Sequence, residues 1–253
     1  MVTDSDPVAD ALGELAVAAP SGLAGKVFSS WLQAPSRIGA VFVAFTSDGV
    51  DYVRTAGSAE EFQDRYRDRF GRPLRPARRA PRGLLPALRG RSASALRLDL
   101  HGLSDFERDV LAATRRISAG QTRPYGWVAR EAGRPRAVRA VGSVLARNPV
   151  PLLVPCHRVV RADGRAGDYL FGTSRKEELL RAEDVDIDEV RALAAAGVHY
   201  VGSATTGVVC FPTCHHARRI TPAHRHGFAR IAAALSAGYR PCRHCRPAVA
   251  EPA

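Results

Sequence analysis

Polar and apolar positions alternate most clearly between residues 38 and 55, where IGAVFVAFT and VDYVRT flank Ser47-Asp48-Gly49. Alternation on both sides of an Asp-Gly turn predicts a β-hairpin. The next segment, AEEFQDRYRDRFG, repeats its apolar positions at helical spacing and stops at Gly71. Residues 71–94 are studded with Pro and Arg and predict a loop with at most one short helix, either a solvated linker or a DNA-facing patch. ALRLDL, residues 95–100, alternates as a strand. Ahead of the hairpin, residues 1–36 predict a helical extension that ends at Ala34-Pro35-Ser36.

The pattern changes at Ser104. SDFERDVLAATRRI places Ser104 three residues before Glu107, a capping box, ahead of an apolar face of Phe106, Val110, Leu111 and Ile117. Two short helices follow, one over residues 125–131 and one opening at Pro135 and running to about Arg147. The turn Ala132-Gly133-Arg134 between them makes a helix-turn-helix candidate. The second helix carries small residues, Ala137, Ala140, Gly142 and Ser143, among Arg136, Arg139 and Arg147. Such a face fits either close packing in a core or close approach to a narrow surface.

Charge sharpens this picture. The 253 residues carry a formal net charge of +12, which suits a polyanionic partner because phosphate neutralisation dominates nucleic-acid affinity. The cations are almost all Arg, with Lys only at Lys26 and Lys176, a bias that genome composition alone can produce. No apolar run reaches the ~18 residues of a membrane helix, and the acidic start MVTDSDPVAD lacks the features of a secretory signal. A cytoplasmic protein with no membrane partner is expected.

The five cysteines form two groups. Cys156 stands alone in NPVPLLVPCHRVV, which reads as a strand, with His157 and Arg158 beside it. A lone Cys in an apolar strand is ordinarily a buried hydrophobe. A neighbouring His or cation instead lowers a thiol pKa from ~8.5 and makes it a nucleophile. Pro155-Cys156-His157-Arg158-Val159, with Asn148-Pro149-Val150-Pro151 before it and Gly167-x-Tyr169-x-x-Gly172 and Arg175-Lys176 after it, resembles the active-site blocks of the alkylguanine-DNA alkyltransferases. The likeness runs from about residue 38 to residue 184 and is nearest to the bacterial Ada and Ogt branch.

That resemblance implies that Cys156 accepts an alkyl group from 6-O-alkylguanine, and 4-O-alkylthymine, in double-stranded DNA and is consumed. It implies that His157 takes the thiol proton through a water, that Glu183 orients His157, and that Tyr125 protonates the departing guanine. Asn148 braces the turn before the active site, and Lys176 assists the tyrosine or the thiolate. Arg139 fills the hole left by the flipped base, and Arg136, Ala137, Ala140, Gly142, Ser143 and Tyr169 face DNA. Two departures are Ser118, where relatives often have Pro, and Leu170-Phe171, where some branches have Ser-Gly; the second bears on the size of alkyl group accepted.

Cys210-x3-Cys214 and Cys242-x2-Cys245 are two metal clips. Four soft thiolates select one zinc ion, and a segment this short draws most of its folding energy from the metal. No organic cofactor is expected. His215, His216, His224, His226 and His244 read as surface or DNA-facing. The segment from about residue 198 to residue 247 resembles the zinc domain of Ada, with Thr205-Thr206-Gly207 and residues 237–241 matching its pattern. This implies a second methyl transfer, from DNA methylphosphotriesters to Cys210, with Thr206, Arg218 and Arg240 as phosphate contacts. The arginine that the family places after its second cysteine aligns with Ala217.

The expected fold is mixed α/β (α+β). Residues 1–36 form a helical extension, 37–103 a ribonuclease-H-like subdomain, 104–190 a helical, winged helix-turn-helix-like alkyltransferase domain, and 191–253 an Ada-type zinc domain, in a monomer. Two rivals are a non-enzymatic zinc and helix-turn-helix DNA-binding regulator, and a cysteine hydrolase using Cys156 and His157. The first is disfavoured because related binding-only proteins replace the cysteine. The second is disfavoured because adjacent strand residues point to opposite sides.

Overall fold

The computed structural model describes residues 27–91, 93 and 95–247. Its first layer is a four-stranded sheet in the order β3-β2-β1-β4, built from β1 (Ser29–Ser36), β2 (Gly39–Phe45), β3 (Val50–Arg54) and β4 (Leu74–Pro76). The β2–β3 hairpin forms as its turn chemistry predicts, closed by Thr46 N–H donating to Gly49 O at 2.9 Å. Strand β2 reads as almost continuously apolar because both of its faces are covered. Phe42 and Ala44 pack with Tyr52, Phe62 and Tyr66 under α1 (Ala59–Phe70), while Val41 and Val43 point the other way into the main core. Helix α1 starts at the Ser58 N-cap and ends on Gly71 at φ +65°.

Two expectations fail here. Residues 29–36, expected to end a helical extension, are β1; residues 1–26 lie outside the described residues. Pro35 suggested a break, but β4 pairs only with Ser29–Trp31, so the far edge of β1 around Pro35 makes no ladder bonds that need an N–H. Residues 95–100 are not a strand. Pairing stops after a single bridge between Val50 and Leu98, held by Val50 N–H to Arg97 O and Asp99 N–H to Val50 O. In the Pro/Arg-rich segment the one short helix is α2 (Leu84–Leu88), but β4 went unpredicted because three residues carry too little pattern.

The second layer is helical. α3 (Asp105–Arg115) has both hydrogen bonds of the Ser104–Glu107 capping box. α4 (Tyr125–Glu131) is where its pattern puts it, whereas α5 (Val138–Ala146) begins three residues after Pro135. The linking turn continues through Ala137 N–H to Arg134 O, so Pro135, Arg136 and Ala137 precede the helix. Val141, Val144 and Leu145 are buried, while Arg139, Ala140 and Ser143 are exposed; the small-residue face is therefore a surface and not a packing seam. Cys156–Arg158 is one turn of 3-10 helix, correcting the strand expectation: Pro151 and Pro155 lack ladder donors, and Leu152 sits at φ +71°. After it come β6 (Val159–Val160), paired parallel with β5 (Arg123–Pro124), then α6 (Thr173–Arg181) and α7 (Ile187–Ala195).

A separate four-stranded sheet, order β10-β8-β7-β9, forms the C-terminal unit from β7 (Tyr200–Ser203), β8 (Val208–Cys210), β9 (Arg225–Phe228) and β10 (Arg240–Pro241), with α8 (Ile231–Ser236) against it. This unit docks on the β5–α4 block. Thr122 N–H bonds Thr213 Oγ1 at 2.9 Å, and the Trp127 indole N–H bonds Cys245 O at 3.0 Å. No described helix is long and apolar enough to cross a membrane.

Candidate active site and metal centre

Cys156 is positioned by the turn that follows α5. The Asn148 amide donates to Val154 O at 3.1 Å and to Cys156 Sγ at 3.2 Å, while its oxygen accepts from Val150 N–H at 3.0 Å. One side chain thus ties the end of α5 to Cys156. Cys156 is 4 % exposed, yet it lines a cleft of about 870 Å³ shared with Tyr125, Arg139, Gly142, Ser143, Tyr169 and Leu170. An accessible but dry thiol is the result. Burial pushes the Cys156 thiol up, only partly offset by the Asn148 hydrogen bond and the Lys176 and Arg54 charges. The expectation of a lowered thiol pKa is overturned: at rest the group keeps its proton, and a base must take it.

His157 follows Cys156 in the same turn. Its Nε2 lies 3.1 Å from Glu183 Oε1, and its Nδ1 is buried without a hydrogen-bond partner. Burial lowers its pKa and Glu183 raises it, leaving the net value below the ordinary one, so the ring is neutral and able to accept a proton. Burial pushes Glu183 up, but the hydrogen bonds from His157 and Arg158 hold it well below the usual carboxylate range. Arg158 donates to it through Nε and Nη2 at 2.8 Å each, and Arg37 through Nη1 at 2.5 Å. Arg158 was singled out from sequence only as a neighbour of Cys156, and Arg37 was not singled out; it lies 146 residues from its partner.

Burial pushes Tyr125 up, and ionisation of Cys156 adds to this, so the phenol holds its proton. Lys176 is fully buried and burial brings it down to about 8; its Nζ lies 6.0 Å from the Tyr125 ring centroid and 3.4 Å from Asp168 O. Tyr169 stands edge-on to His157 with its buried hydroxyl unpartnered. Of the six expected catalytic side chains, Cys156 and Tyr125 line this cleft; Asn148 bonds the sulfur, Glu183 bonds His157, and Lys176 lies 6.0 Å from the Tyr125 ring. A neutral histidine backed by a carboxylate, a buried thiol and a protonated phenol are groups able to accept, release and return protons.

In the C-terminal unit Cys210, Cys214, Cys242 and Cys245 are all buried and free, with their sulfurs within 4.8 Å of one another. Tetrahedral zinc at ~2.3 Å from each sulfur needs S···S separations of about 3.8 Å. Four thiolates this close repel one another unless a cation sits between them. The donor set fits one zinc ion. Cys210 also lines a groove of about 700 Å³ with Thr206, Arg219, Arg240 and Arg243. Arg218 departs from expectation: it turns away from this groove, and its guanidinium bonds Gly120 O. His215 and His216 lie ring against ring with His244 edge-on to both, beside the metal clips, and the Tyr239 hydroxyl lies 2.8 Å from His226 Nδ1.

Residues 105–185 match the model of the 6-O-methylguanine DNA methyltransferase, DNA binding domain, and residues 189–248 that of the metal binding domain of Ada. The cysteine quartet is accordingly a zinc site. The chain is 47% identical over 88 residues to the Escherichia coli bifunctional transcriptional activator/DNA repair enzyme Ada, a stretch that is 35% of this chain and 25% of that protein. It spans about half the length of the other curated relatives it matches. Among solved structures, Mycobacterium tuberculosis OGT in complex with DNA is 29% identical with a TM-score of 0.50, covering 64% of this chain and 98% of that one. A variant of the Mycobacterium tuberculosis O6-methylguanine methyltransferase is 31% identical with a TM-score of 0.51, covering 61% and 92%. With the cleft, its cysteine and these likenesses together, the chain belongs to the 6-O-methylguanine DNA methyltransferase family.

Proposed function

We propose that this chain repairs alkylated double-stranded DNA by direct reversal, moving the alkyl group of 6-O-alkylguanine irreversibly onto Cys156, and that it works as a cytoplasmic monomer. The observation that carries this reading is the cleft, in which the Cys156 sulfur shares one space with Tyr125 and with Arg139 on the exposed small-residue face of α5.

The damaged oxygen lies inside the duplex, so the base must swing out, at a cost of a few kcal/mol. Ala140, Gly142 and Ser143 let α5 approach a narrow groove closely, and Arg139 enters the stack in place of the lost base. Val138, 40% exposed beside them, offers an apolar contact to the sugar edge. A water held by the unpartnered His157 Nδ1 carries the thiol proton to the imidazole, and Glu183 stabilises the imidazolium. The sulfur then attacks the alkyl carbon, forming S–C as C–O breaks. Guanine leaves with a proton from Tyr125, replenished by way of Lys176. The thioether has no return path, so each molecule acts once.

In this reading residues 37–103, together with β1, form the ribonuclease-H-like subdomain that backs the active-site turn, residues 104–190 the winged helix-turn-helix-like alkyltransferase domain, and residues 191–247 the described part of the Ada-type zinc domain. A second reading concerns Cys210, which with Cys242 lines the groove of Arg219, Arg240 and Arg243. A zinc ion in four thiolates carries about two negative charges, which repel a phosphodiester and tolerate a neutral methylphosphotriester. Methyl transfer to Cys210 removes one of those charges and strengthens DNA binding.

The deciding experiment incubates the protein with DNA carrying labelled 6-O-methylguanine or a labelled methylphosphotriester and maps the adduct by peptide mass spectrometry. Label from the first substrate is expected on Cys156 and none in the folded Cys156→Ala variant. Transfer retained by that variant removes the assignment, and absence of any thioether leaves a binding-only regulator. Label from the second substrate at Cys210 supports the second reading; its absence refutes it.

A further inference from the structure

Arg123 is 3% exposed, yet among the described residues no carboxylate pairs with it. Its guanidinium donates to Thr122 O at 2.7 Å and Gln121 Oε1 at 2.5 Å, both local, and its Nε is buried with no partner. It lies 5.6 Å from the Trp127 ring centroid and 5.2 Å from that of Phe211. A lone cation in such a place costs several kcal/mol unless something negative faces it.

The neighbours of Arg123 identify that partner. Phe211 directly follows Cys210, Trp127 bonds the carbonyl of Cys245, and Thr213, which bonds Thr122, directly precedes Cys214. Three of the four zinc ligands are thus reached through residues that touch Arg123 or its neighbours on the chain. Burial pushes the guanidinium pKa down, and the charges of all four cysteines push it back up. A four-thiolate zinc centre bears about two negative charges. We propose that Arg123 is the counter-cation of the metal centre, so that the alkyltransferase half of the chain completes the electrostatics of the zinc site and the metal fastens the two halves together. Strand β5 runs from Arg123 straight into Tyr125 at the start of α4, so the metal also steadies the segment that presents Tyr125 to the Cys156 cleft. This holds whether or not Cys156 transfers alkyl groups.

The test challenges the zinc-loaded full chain with the chromogenic chelator 4-(2-pyridylazo)resorcinol. Loss of a residue supporting metal ligands from outside costs ~10–100-fold in affinity. Arg123→Met should release zinc at least about tenfold more readily, and Arg123→Lys, which keeps the charge, should lie within about threefold of the parent. Arg130→Ala removes a different interface bond, to Arg246 O, and should retain zinc like the parent. Zinc held as tightly by Arg123→Met as by the parent overturns the proposal, and so does an equal loss in Arg130→Ala, which would make the effect one of packing. Hydrogen exchange on the parent gives a readout that depends on no variant. Stripping zinc should raise amide exchange in residues 121–131 as well as in 198–247; a rise confined to 198–247 refutes the coupling.

Discussion

Replacing Glu183 by Gln removes one negative charge and keeps the shape. The carboxylate accepts from His157, from both Arg158 nitrogens, from Arg37 and from Gly120 N–H. Gln retains one acceptor oxygen and turns an NH2 toward donors. Removing one partner of a buried ion pair costs about 3–5 kcal/mol. The Arg158 and Arg37 side chains keep 12% and 16% exposure, so the lower end, about 3 kcal/mol, applies. For a protein of this size that is a fall in Tm of roughly 6–12 °C at pH 7. The pH dependence has a definite sign. Glu183 is held well below its ordinary value of 4.5 in the folded protein. Its contribution is therefore complete above that ordinary value and is lost as pH falls below it toward the folded one. The Tm gap between parent and Glu183→Gln should narrow between pH 6 and pH 3.5. In alkyl transfer the loss should be greater. Without the carboxylate the buried imidazole accepts a proton less readily, and forfeiting general-base help costs about 10²-fold or more in single-turnover rate. Differential scanning fluorimetry across pH and rapid-quench transfer from 6-O-methylguanine DNA measure the two effects. A Tm gap of equal size at pH 3.5 and pH 7, or an unchanged transfer rate, refutes the reasoning.

Three further outcomes are expected. Burial brings the Asp51 carboxyl up to about 6, so its share of stability is complete below the ordinary 3.8 and is lost as pH rises through 6, a decline of at most about 3 kcal/mol; Asp51→Asn, which preserves an oxygen for the Tyr66 hydroxyl, should flatten that decline in denaturant titrations at pH 4 and 7.5. Tyr125→Phe removes the proton donor and leaves the fold intact, and should slow transfer about 10²-fold while the melting temperature stays within a few degrees; an unchanged rate removes Tyr125 from the mechanism. Arg139→Ala should weaken transfer from duplex DNA and leave reaction with free 6-O-benzylguanine unaffected, because only the duplex has a stack to refill; equal losses on both substrates contradict that role.

Where a local pattern suffices, sequence and structure agree closely. The Asp-Gly hairpin, the Ser104 capping box, the limits of α4, and the two clips of zinc-binding cysteines each depend on residues a few positions apart. The thiol is the instructive exception. His157 and Arg158 beside Cys156 suggest a lowered pKa, but neither bonds the sulfur. Burial dominates, and both side chains bond Glu183 instead.

The sequence by itself determined which thiol stands by a histidine, which four thiols share a metal, and which helix face is small and basic. Tertiary structure alone decided that residues 29–36 form a strand, that Leu98 makes one bridge and no more, that Cys156 sits on a tight turn, and that Arg218 turns away from the groove beside Cys210. It also brought Arg37 to Glu183 and Arg123 to the zinc ligands. The physical reason is separation. Turns, caps and metal clips are set by forces acting within a few residues, whereas strand pairing, desolvation and the choice of counter-ion depend on groups that meet only when distant segments pack, and no local pattern records which ones will.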